Sequence, residues 1–452
     1  MRTRISRHKN KIKTALFLLL LSFVFLRIQY YFGIRDYSIY TKEALLSSEK
    51  IGKPDAVYIG ASHVFRFFSP PFAWNQHGIT VFSYSMPSMR GSAIKYKIAE
   101  ARKHYPDALY IVNLNNFKNE LEPSTRDIHS SVDYMKNSAN KVALTRKLTE
   151  NIGFFDSLEY YFPIIRFHSS WPDMTMQEFV HPVYEDMGAN LYKPFLSDIE
   201  DKTERFREIL PNPEIPLSEE NTALLSDLMD YARSENVRIL FLIVPQALNE
   251  EPLSQVYAAE KLVRDEGFDC LNLRERIDEI GLQTYEDFED NHHTNIHGSL
   301  KFTDYLSRYL AETYGFENKK DEPGYEIWSE SYTAYSAEIA PYTLDLEREY
   351  YPRSYSLAVP ELTGISQDGQ EITLTFGASE GADGYEVYRK LASGPGWEKV
   401  CGELENSLSY TEQAGAADVY TYTVIPYVIQ DDVRHYGNFD YTGISIAVAE
   451  AS

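Results

Sequence analysis

The fold is set by Ala56-Val-Tyr-Ile-Gly-Ala-Ser-His63. Its first four residues are apolar and rich in β-branching, which is the pattern of a strand buried on both faces. The following Gly-Ala-Ser ends the strand and leaves the Ser62 hydroxyl at its carboxyl end. Open α/β sheets place their sites at that edge. The sequence therefore predicts an α/β domain whose chemistry begins at Ser62.

The pattern of strand and helix continues along the chain. Strand patterns occupy 55–59, 79–83, 108–114, 237–244 and 269–273, and helical patterns occupy 92–105, 221–234, 252–266 and 299–314. Strands alternating with helices predict a parallel sheet with helices on both faces.

Residues 117–215 interrupt this alternation with a polar, aromatic and helical insertion. An insertion of this length between core strands is typical of a lid over a site. His168 and Trp171 are its candidate substrate contacts, although a packed insertion would have the same composition. We expect the insertion to cover the carboxyl edge of the sheet.

A second motif is Asp287-Phe-Glu-Asp-Asn-His-His-Thr-Asn-Ile-His-Gly298. Within it, Asp290 precedes His293 by three residues, and Gly298 is expected to let a helix begin. A carboxylate that accepts from one imidazole nitrogen fixes the tautomer, so that the other nitrogen can take a proton. The motif therefore predicts a general base with its orienting acid.

A metal site is the alternative interpretation of this histidine-rich motif. His293 and His297 are four residues apart, but no glutamate adjoins His293 as in a zinc-binding H-E-x-x-H helix. We therefore expect no metal and no cofactor.

The serine and histidine motifs together resemble the SGNH (GDSL-like) hydrolase superfamily, of the membrane-anchored bacterial surface type. That family comprises esterases and acyltransferases with a flavodoxin-like sheet, a serine after the first strand and an Asp-x-x-His near the C-terminal end. The resemblance covers residues 50–355 and implies a triad of Ser62, Asp290 and His293. It departs from the family at Gly60-Ala-Ser62, where Gly-Asp-Ser is usual.

The same resemblance implies an oxyanion hole. The stretch Asn113-Leu-Asn-Asn116 occupies the place of the family's Gly-x-Asn-Asp motif. The resemblance therefore implies that Asn115 is the side-chain donor. Ser88 stands where the family has a glycine, and its backbone N–H would be a second donor.

The N-terminal segment has the features of a membrane anchor. Residues 1–14 carry lysines and arginines without an acid, and residues 15–34 are mainly apolar, with Arg27 as their one charged residue. A span needs about 20 residues, and bulky aromatics occupy the place where a signal peptidase would cut. We expect an uncleaved single-pass signal anchor with an extracytoplasmic domain, and a cleaved signal peptide is the alternative.

Residues 357–452 change to short alternating strands separated by turns, which predicts an all-β sandwich. Ala382-Asp-Gly-Tyr-Glu-Val-Tyr-Arg389 and Tyr420-Thr-Tyr422 resemble a fibronectin type III domain, with Phe376 where that family has a tryptophan. Cys270 and Cys401 fall in different predicted domains, so no disulfide framework is expected.

The net charge of −23 over 452 residues argues against binding to nucleic acid. The combined features predict a membrane-anchored serine esterase acting on O-acyl groups, acetyl foremost, of a cell-surface polysaccharide. An O-acyltransferase on the same glycans is one alternative, with an acyl-serine intermediate and a membrane acyl-donor partner. A non-catalytic surface protein that binds glycan is the other.

Overall fold

The structure is a computed structural model of the whole chain. The residues that it describes are 2–33, 42–43, 45–46, 48, 51–118, 124–133, 135–173, 209–282, 287–349, 357–393, 397–404, 407–430, 433–437, 440 and 442–449.

The chain divides into two compact units. The first comprises Met1–Lys193, Arg207–Ile277 and Ser307–Tyr335. The second comprises Pro194–Phe206, Asp278–Leu306 and Ser336–Ser452. The serine motif therefore belongs to the first unit and the Asp-x-x-His motif to the second.

The first unit is built on a five-stranded parallel sheet. Its strands are β1 (Ala56–Gly60), β2 (Val81–Ser85), β3 (Leu109–Asn113), β4 (Ile239–Ile243) and β5 (Asp269–Asn272). They lie in the order β2-β1-β3-β4-β5, all parallel. This is the flavodoxin-like arrangement, and its strand order reverses between β1 and β3. The predicted parallel sheet is confirmed.

Helices flank this sheet. The chain contains α1 (Arg2–Gly33), α2 (Ser62–Phe67), α3 (Pro70–His77), α4 (Gly91–Ala101), α5 (Thr125–Val132), α6 (Ala139–Leu148), α7 (Phe154–Ser157), α8 (Pro163–Phe167), α9 (Glu219–Ser234), α10 (Glu250–Asp265), α11 (Ile277–Ile280), α12 (Ile296–Tyr314) and α13 (Glu326–Glu349). Among the residues described, 3₁₀ turns include Leu114–Asn116, Leu158–Tyr160, His168–Asp173 and Arg274–Arg276. Leucine, isoleucine and valine side chains of α4, α9 and α10 form one hydrophobic core with β1, β2 and β4. Burial of this apolar surface holds the sheet and helices together.

The buried core of the first unit includes residues before position 50, the expected start of the α/β domain. Leu45 and Leu46 are buried in the core of this unit. Glu43 accepts from the buried Lys97 ammonium at 2.7 Å and from the Tyr84 hydroxyl at 2.8 Å. Burial lowers the pKa of Lys97, and the Glu43 carboxylate opposes that shift. A buried charge of this kind needs its partner, so Glu43 is an integral part of the fold.

Strand β2 begins two residues later than the sequence pattern predicts. The Thr80 amide and hydroxyl both donate to the Asp55 carboxylate, each at 2.9 Å. Residues 79–80 therefore precede the strand, and the ladder starts where Ala56 pairs with Val81.

One helix among the residues described is long and apolar enough to cross a membrane. It is Lys11–Gln29 within α1, with a mean hydropathy of 1.8 and no buried residue. The apolar window therefore starts and ends slightly earlier than the expected span of 15–34. Its last turns pack on the insertion, where the Phe25 and Phe162 ring centroids are 5.9 Å apart.

The C-terminal part of the second unit is an antiparallel sandwich, as the sequence predicts. Its strands are β6 (Leu362–Asp368), β7 (Glu371–Phe376), β8 (Gly384–Leu391), β9 (Trp397–Leu404), β10 (Ser409–Gln413), β11 (Asp418–Gln430), β12 (Val433–Tyr436) and β13 (Ile444–Val448). One sheet has the order β10-β7-β6, and the other has the order β12-β11-β8-β9 with β13 paired to β11.

Two aromatic residues fix this sandwich. Phe376 is buried in the core of the sandwich, with its ring centroid 5.1 Å from that of Tyr385. The Tyr420 hydroxyl donates to Ala416 O at 2.9 Å and accepts from the Gly415 and Ala416 amides. This local link is a tyrosine corner, a hallmark of immunoglobulin-like sandwiches.

Candidate active site

Ser62 lies where the first strand of the sheet passes into a helix. Strand β1 ends at Gly60, and α2 begins at Ser62 without a side-chain cap. Ser62 itself is half-buried. Its position is the carboxyl end of β1, beside the point where the strand order reverses. The expected placement of the serine at this edge therefore agrees with the sheet topology.

The turn before Ser62 packs closely against Asn116. A Cβ added to Gly60 would lie 2.8 Å from Val64 Cγ2 and 3.0 Å from Asn116 Oδ1, so glycine is required there. His63 is buried, and its Nε2 lies 3.0 Å from the same Oδ1. Because an amide oxygen only accepts, Nε2 carries the proton of this hydrogen bond. The Asn116 Nδ2 donates to Met89 O at 2.8 Å.

Asn116 consequently links the segment that carries the expected nucleophile Ser62 to the segment that carries Ser88, an expected backbone donor. The sequence gives no expectation for the role of Asn116, because its contacts with His63 and Met89 join residues that are distant along the chain.

Ser88 adopts a backbone conformation that usually requires glycine. Its φ is +55°, and the Met89 amide donates to Met86 O at 3.3 Å, which closes a turn with Pro87 at its second position. A positive φ at the third position of such a turn is normally supplied by glycine. Ser88 therefore occupies a backbone conformation that glycine normally supplies.

We expect Ser88→Gly and Ser88→Val to separate backbone conformation from side-chain chemistry. Ser88 is exposed, so neither substitution disturbs the core. Glycine should leave the free energy of unfolding within about 1 kcal/mol of wild type. Valine at a positive φ should lower it by about 1–2 kcal/mol, and ester turnover should fall with it. Urea unfolding and an ester assay measure the two effects, and a valine variant as stable as wild type would contradict the assigned turn.

The Asn115 amide is engaged inside the fold. Its Nδ2 donates to Val244 O at 3.3 Å and to Gln246 Oε1 at 3.0 Å, and its Oδ1 accepts from the Val244 amide at 3.0 Å. Asn115 thus joins the end of β3 to the end of β4. The oxyanion role expected for Asn115 stays a prediction, and it requires one of these hydrogen bonds to open.

Asn115→Ala and Asn116→Ala form a matched pair, because both side chains are buried amides on the same 3₁₀ turn. Asn116→Ala should lower kcat by about 10²-fold with little change in KM, since small displacements of positioned groups have effects of that size. Asn115→Ala should lower the thermal stability and, as the loss of one oxyanion donor, should lower kcat by about 10²- to 10³-fold. Steady-state kinetics with thermal melts test the pair, and a wild-type kcat in Asn116→Ala would remove its positioning role.

The Asp-x-x-His motif forms a closed loop in the second unit. Phe288 and Thr294 pair as an antiparallel bridge, and the Glu289 amide donates to His293 O at 3.0 Å. At the tip, His293 Nδ1 donates to Asp290 Oδ2 at 2.8 Å. The structure therefore brings together the two residues that the sequence assigns to a base and its orienting acid.

Gly298 serves a purpose other than the expected one. The helix that Gly298 was expected to start begins earlier, at Ile296, so Gly298 lies in its first turn. A Cβ at Gly298 would overlap the carbonyl group of Asp287. That carbonyl accepts from the Asn295 amide at 3.0 Å, and the Asp287 carboxylate accepts from Lys301 at 2.8 Å. Gly298 therefore permits the close approach that shapes the loop.

Asp290 is held in its ionised form. Partial burial raises the pKa of its carboxyl group, but the hydrogen bonds from His293 Nδ1 and the His292 amide outweigh burial and bring the pKa to about 2. An ionised carboxylate accepts the Nδ1 proton and so directs Nε2 toward proton transfer. The pair can act as a general base with its orienting acid.

The candidate substrate contacts of the insertion are only partly described. His168 is exposed, and its Nδ1 donates to Ile165 O at 2.8 Å, which fixes the ring against the end of α8. The Trp171 side chain lies outside the described residues, as do residues 174–208 of the expected lid. Among the residues described, no group of three or more histidine, cysteine or acidic side chains is arranged to hold a metal ion. Cys270 and Cys401 are both free thiols.

No family model matches the chain, and no curated protein matches it. Solved structures that it resembles are fibronectin type III domains, which match its C-terminal sandwich. A domain of human collagen XX is 18% identical, with a TM-score of 0.17, and the match covers 22% of this chain and 97% of that one. An Fn3-like protein from Clostridium thermocellum is 26% identical, with a TM-score of 0.14 and coverage of 19% and 88%. The FN3tt mut structure is 20% identical, with a TM-score of 0.15 and coverage of 20% and 96%.

Proposed function

We propose that the chain is a membrane-anchored serine esterase that removes O-acyl groups, acetyl foremost, from a cell-surface polysaccharide. The observation that carries the proposal is the 2.8 Å hydrogen bond between His293 Nδ1 and the ionised Asp290. The position of Ser62 at the carboxyl end of β1 supplies the matching nucleophile.

In the proposed reaction, the Ser62 Oγ attacks the ester carbonyl carbon while His293 Nε2 takes the hydroxyl proton. Asp290 stabilises the imidazolium that forms. The tetrahedral intermediate then breaks its bond to the sugar oxygen, which receives the proton from His293. Water activated by the same histidine attacks the acyl-serine, releases the carboxylic acid and restores Ser62.

The oxyanion of each tetrahedral intermediate needs donors that are fixed in advance. In this proposal the backbone N–H groups of Ser62 and Ser88 supply them, together with the Asn115 amide once one of its hydrogen bonds has opened. Asn116 supports both, because its amide bonds to His63 beside Ser62 and to Met89 beside Ser88. Because Asn116 bonds to both segments, the two backbone N–H groups need little reorganisation during the reaction.

The location and the substrate class are part of the proposal. The apolar window Lys11–Gln29 would anchor the chain, and the basic residues before it favour a cytoplasmic N-terminus. An esterase held at the outer surface of the membrane meets envelope polysaccharides as its abundant acylated substrates.

An O-acyltransferase on the same glycans is the second candidate. It is favoured by the contact of the insertion with α1, where Gln29 Oε1 accepts from the Ile164 amide at 2.8 Å. A catalytic domain packed on its membrane helix is well placed to receive an acyl group from a membrane partner. The acyl-serine would then pass to a glycan hydroxyl in place of water.

The test is activity-based labelling of the full-length chain in liposomes. A fluorophosphonate should modify Ser62, as located by peptide mass spectrometry, and acetylated polysaccharide should release acetate. Transfer of acetyl to an added glycan acceptor, without acetate release, would identify the transferase. A wild-type chain that binds glycan but neither reacts with the probe nor turns over an ester is the non-catalytic binding protein.

A further inference from the structure

The insertion carries an apolar surface that the proposed esterase chemistry does not use. Phe154 is 71% exposed, Phe155 is 81% exposed and Ile165 is 44% exposed. The two phenylalanine rings contact each other edge to face, with centroids 5.5 Å apart. Single exposed apolar residues are ordinary, but three within one short segment need an explanation.

The opposite side of this segment is anchored in the first unit. Tyr160 is buried, with its ring centroid 4.4 Å from that of His129, and the Arg166 guanidinium pairs with Asp133. The exposure of Phe154 and Phe155 is therefore a property of a fixed segment.

The same segment touches the membrane helix directly. The Phe162 ring packs on Phe25, and the Gln29 side chain accepts from the Ile164 amide at 2.8 Å. This hydrogen bond satisfies a backbone N–H in the first turn of α8, where the helix itself offers no partner. A side chain of the spanning helix thus caps a helix of the insertion.

The depth of the contact follows from helix geometry. Lys11–Gln29 is 19 residues long, and a rise of about 1.5 Å per residue gives about 28 Å, close to the thickness of a bilayer core. Phe25 lies one turn, or about 6 Å, before the end of that window. Apolar faces of interfacial helices enter the bilayer by about 5–10 Å.

We infer that residues 154–165 form an interfacial membrane contact, with Phe154, Phe155 and Ile165 inserted among the lipids of one leaflet. The occupant of this surface is the bilayer, because the segment that carries it contacts the spanning helix at Phe25 and Gln29. The inference rests on the anchoring part of the proposed function and is independent of the ester chemistry.

One consequence concerns the orientation of the first unit. Its core already includes Leu45, and the eight residues between α1 and Lys42 can reach about 30 Å at most. A second attachment through the insertion fixes the orientation of the first unit at the membrane, which a single tether would not do.

The test uses the full chain in liposomes of phosphatidylethanolamine and phosphatidylglycerol. The photo-reactive residue p-benzoylphenylalanine is placed in turn at Phe155, at Leu20 in the spanning window and at Ile429, which is half-exposed in the sandwich. After illumination, mass spectrometry should find lipid adducts at positions 155 and 20, with at least tenfold less at position 429.

Every other outcome contradicts the inference. Lipid adducts at position 20 but none at position 155 would overturn the contact and leave the anchor and the esterase proposal intact. A cross-link from position 155 to a second copy of the chain would also overturn it. Loss of lipid adducts at position 20 would refute the anchor and the inference together.

Hydrogen exchange supplies a second readout, because Phe154→Ser with Phe155→Ser should speed exchange of the amides at 153–165 in liposomes.

Discussion

Ser62→Ala is expected to abolish fluorophosphonate labelling and to lower ester turnover by about 10⁴- to 10⁶-fold. The substitution removes the atom that forms the acyl bond, and members of a triad fail as a unit. Ser62 is only half-buried at a strand end, so loss of its hydroxyl leaves no large cavity. The free energy of unfolding should therefore stay within about 1 kcal/mol of the wild-type value. Labelling, acetate release and urea unfolding on the same preparations measure these effects.

His293→Ala is the companion variant and should match Ser62→Ala in activity. His292 offers a matched control, because it is the neighbouring residue, it is exposed, and its backbone N–H bonds to Asp290. His292→Ala keeps that N–H and should retain most of the turnover. Wild-type turnover in Ser62→Ala would refute the nucleophile, and equal losses in the two histidine variants would refute the base.

The sheet could be predicted because its strands are continuous apolar runs. Val57, Ile59 and Phe241 are fully buried, and a strand covered on both faces leaves this pattern in the sequence without ambiguity. The Asp290–His293 pair was also visible, since three residues of separation in a loop bring the two side chains within reach. For the strands and for the Asp290–His293 pair, the pattern of residues close in the sequence was sufficient.

The roles of Asn116 and Gly298 could not be predicted, because each depends on residues that are distant or that approach only through the folded loop. The role of Asn116 depends on its contacts with Gly60 and Met89, and these contacts form only when the strands are aligned in the sheet. Gly298 is required by the approach of the Asp287 carbonyl, whereas its sequence context indicated only a helix start. Close backbone approaches of this kind leave a glycine in the sequence but no sign of its partner.

The burial of Lys42 and Glu43 in the first unit was not predicted, for a related reason. Lys42 and Glu43 are charged, and charged residues next to a membrane helix indicate a solvated spacer. Their burial depends on partners in the sheet and its helices, with Lys42 donating to Ser85 O at 3.1 Å and Glu43 paired with Lys97. Sequence patterns therefore underestimate the extent of a core when it contains charged residues that are buried as pairs.

Asp290→Asn is expected to lower ester turnover by about 10⁴-fold while keeping the shape of the loop. An asparagine amide can place its N–H₂ toward Nδ1, which then accepts, and the proton of the neutral imidazole moves to Nε2. The nitrogen that must take the Ser62 proton is then already protonated. The measurement is kcat for the variant and the wild type on one ester substrate. A variant within tenfold of wild type would show that Asp290 does not set the tautomer.

The same substitution has a second expected effect, on the acid stability of the protein. The pKa of Asp290 is lowered to about 2, so its ionised form stabilises the folded state above the ordinary aspartate pKa near 4. This contribution is lost as the pH falls from about 4 through 2, where the carboxylate takes up its proton. The amide that replaces the carboxylate cannot titrate, so the variant should lose less stability than wild type across that window. Urea unfolding of both proteins at about pH 5, 4, 3 and 2.5 tests this difference. Parallel curves would mean that the hydrogen bonds from His293 and His292 do not hold Asp290 in its charged form.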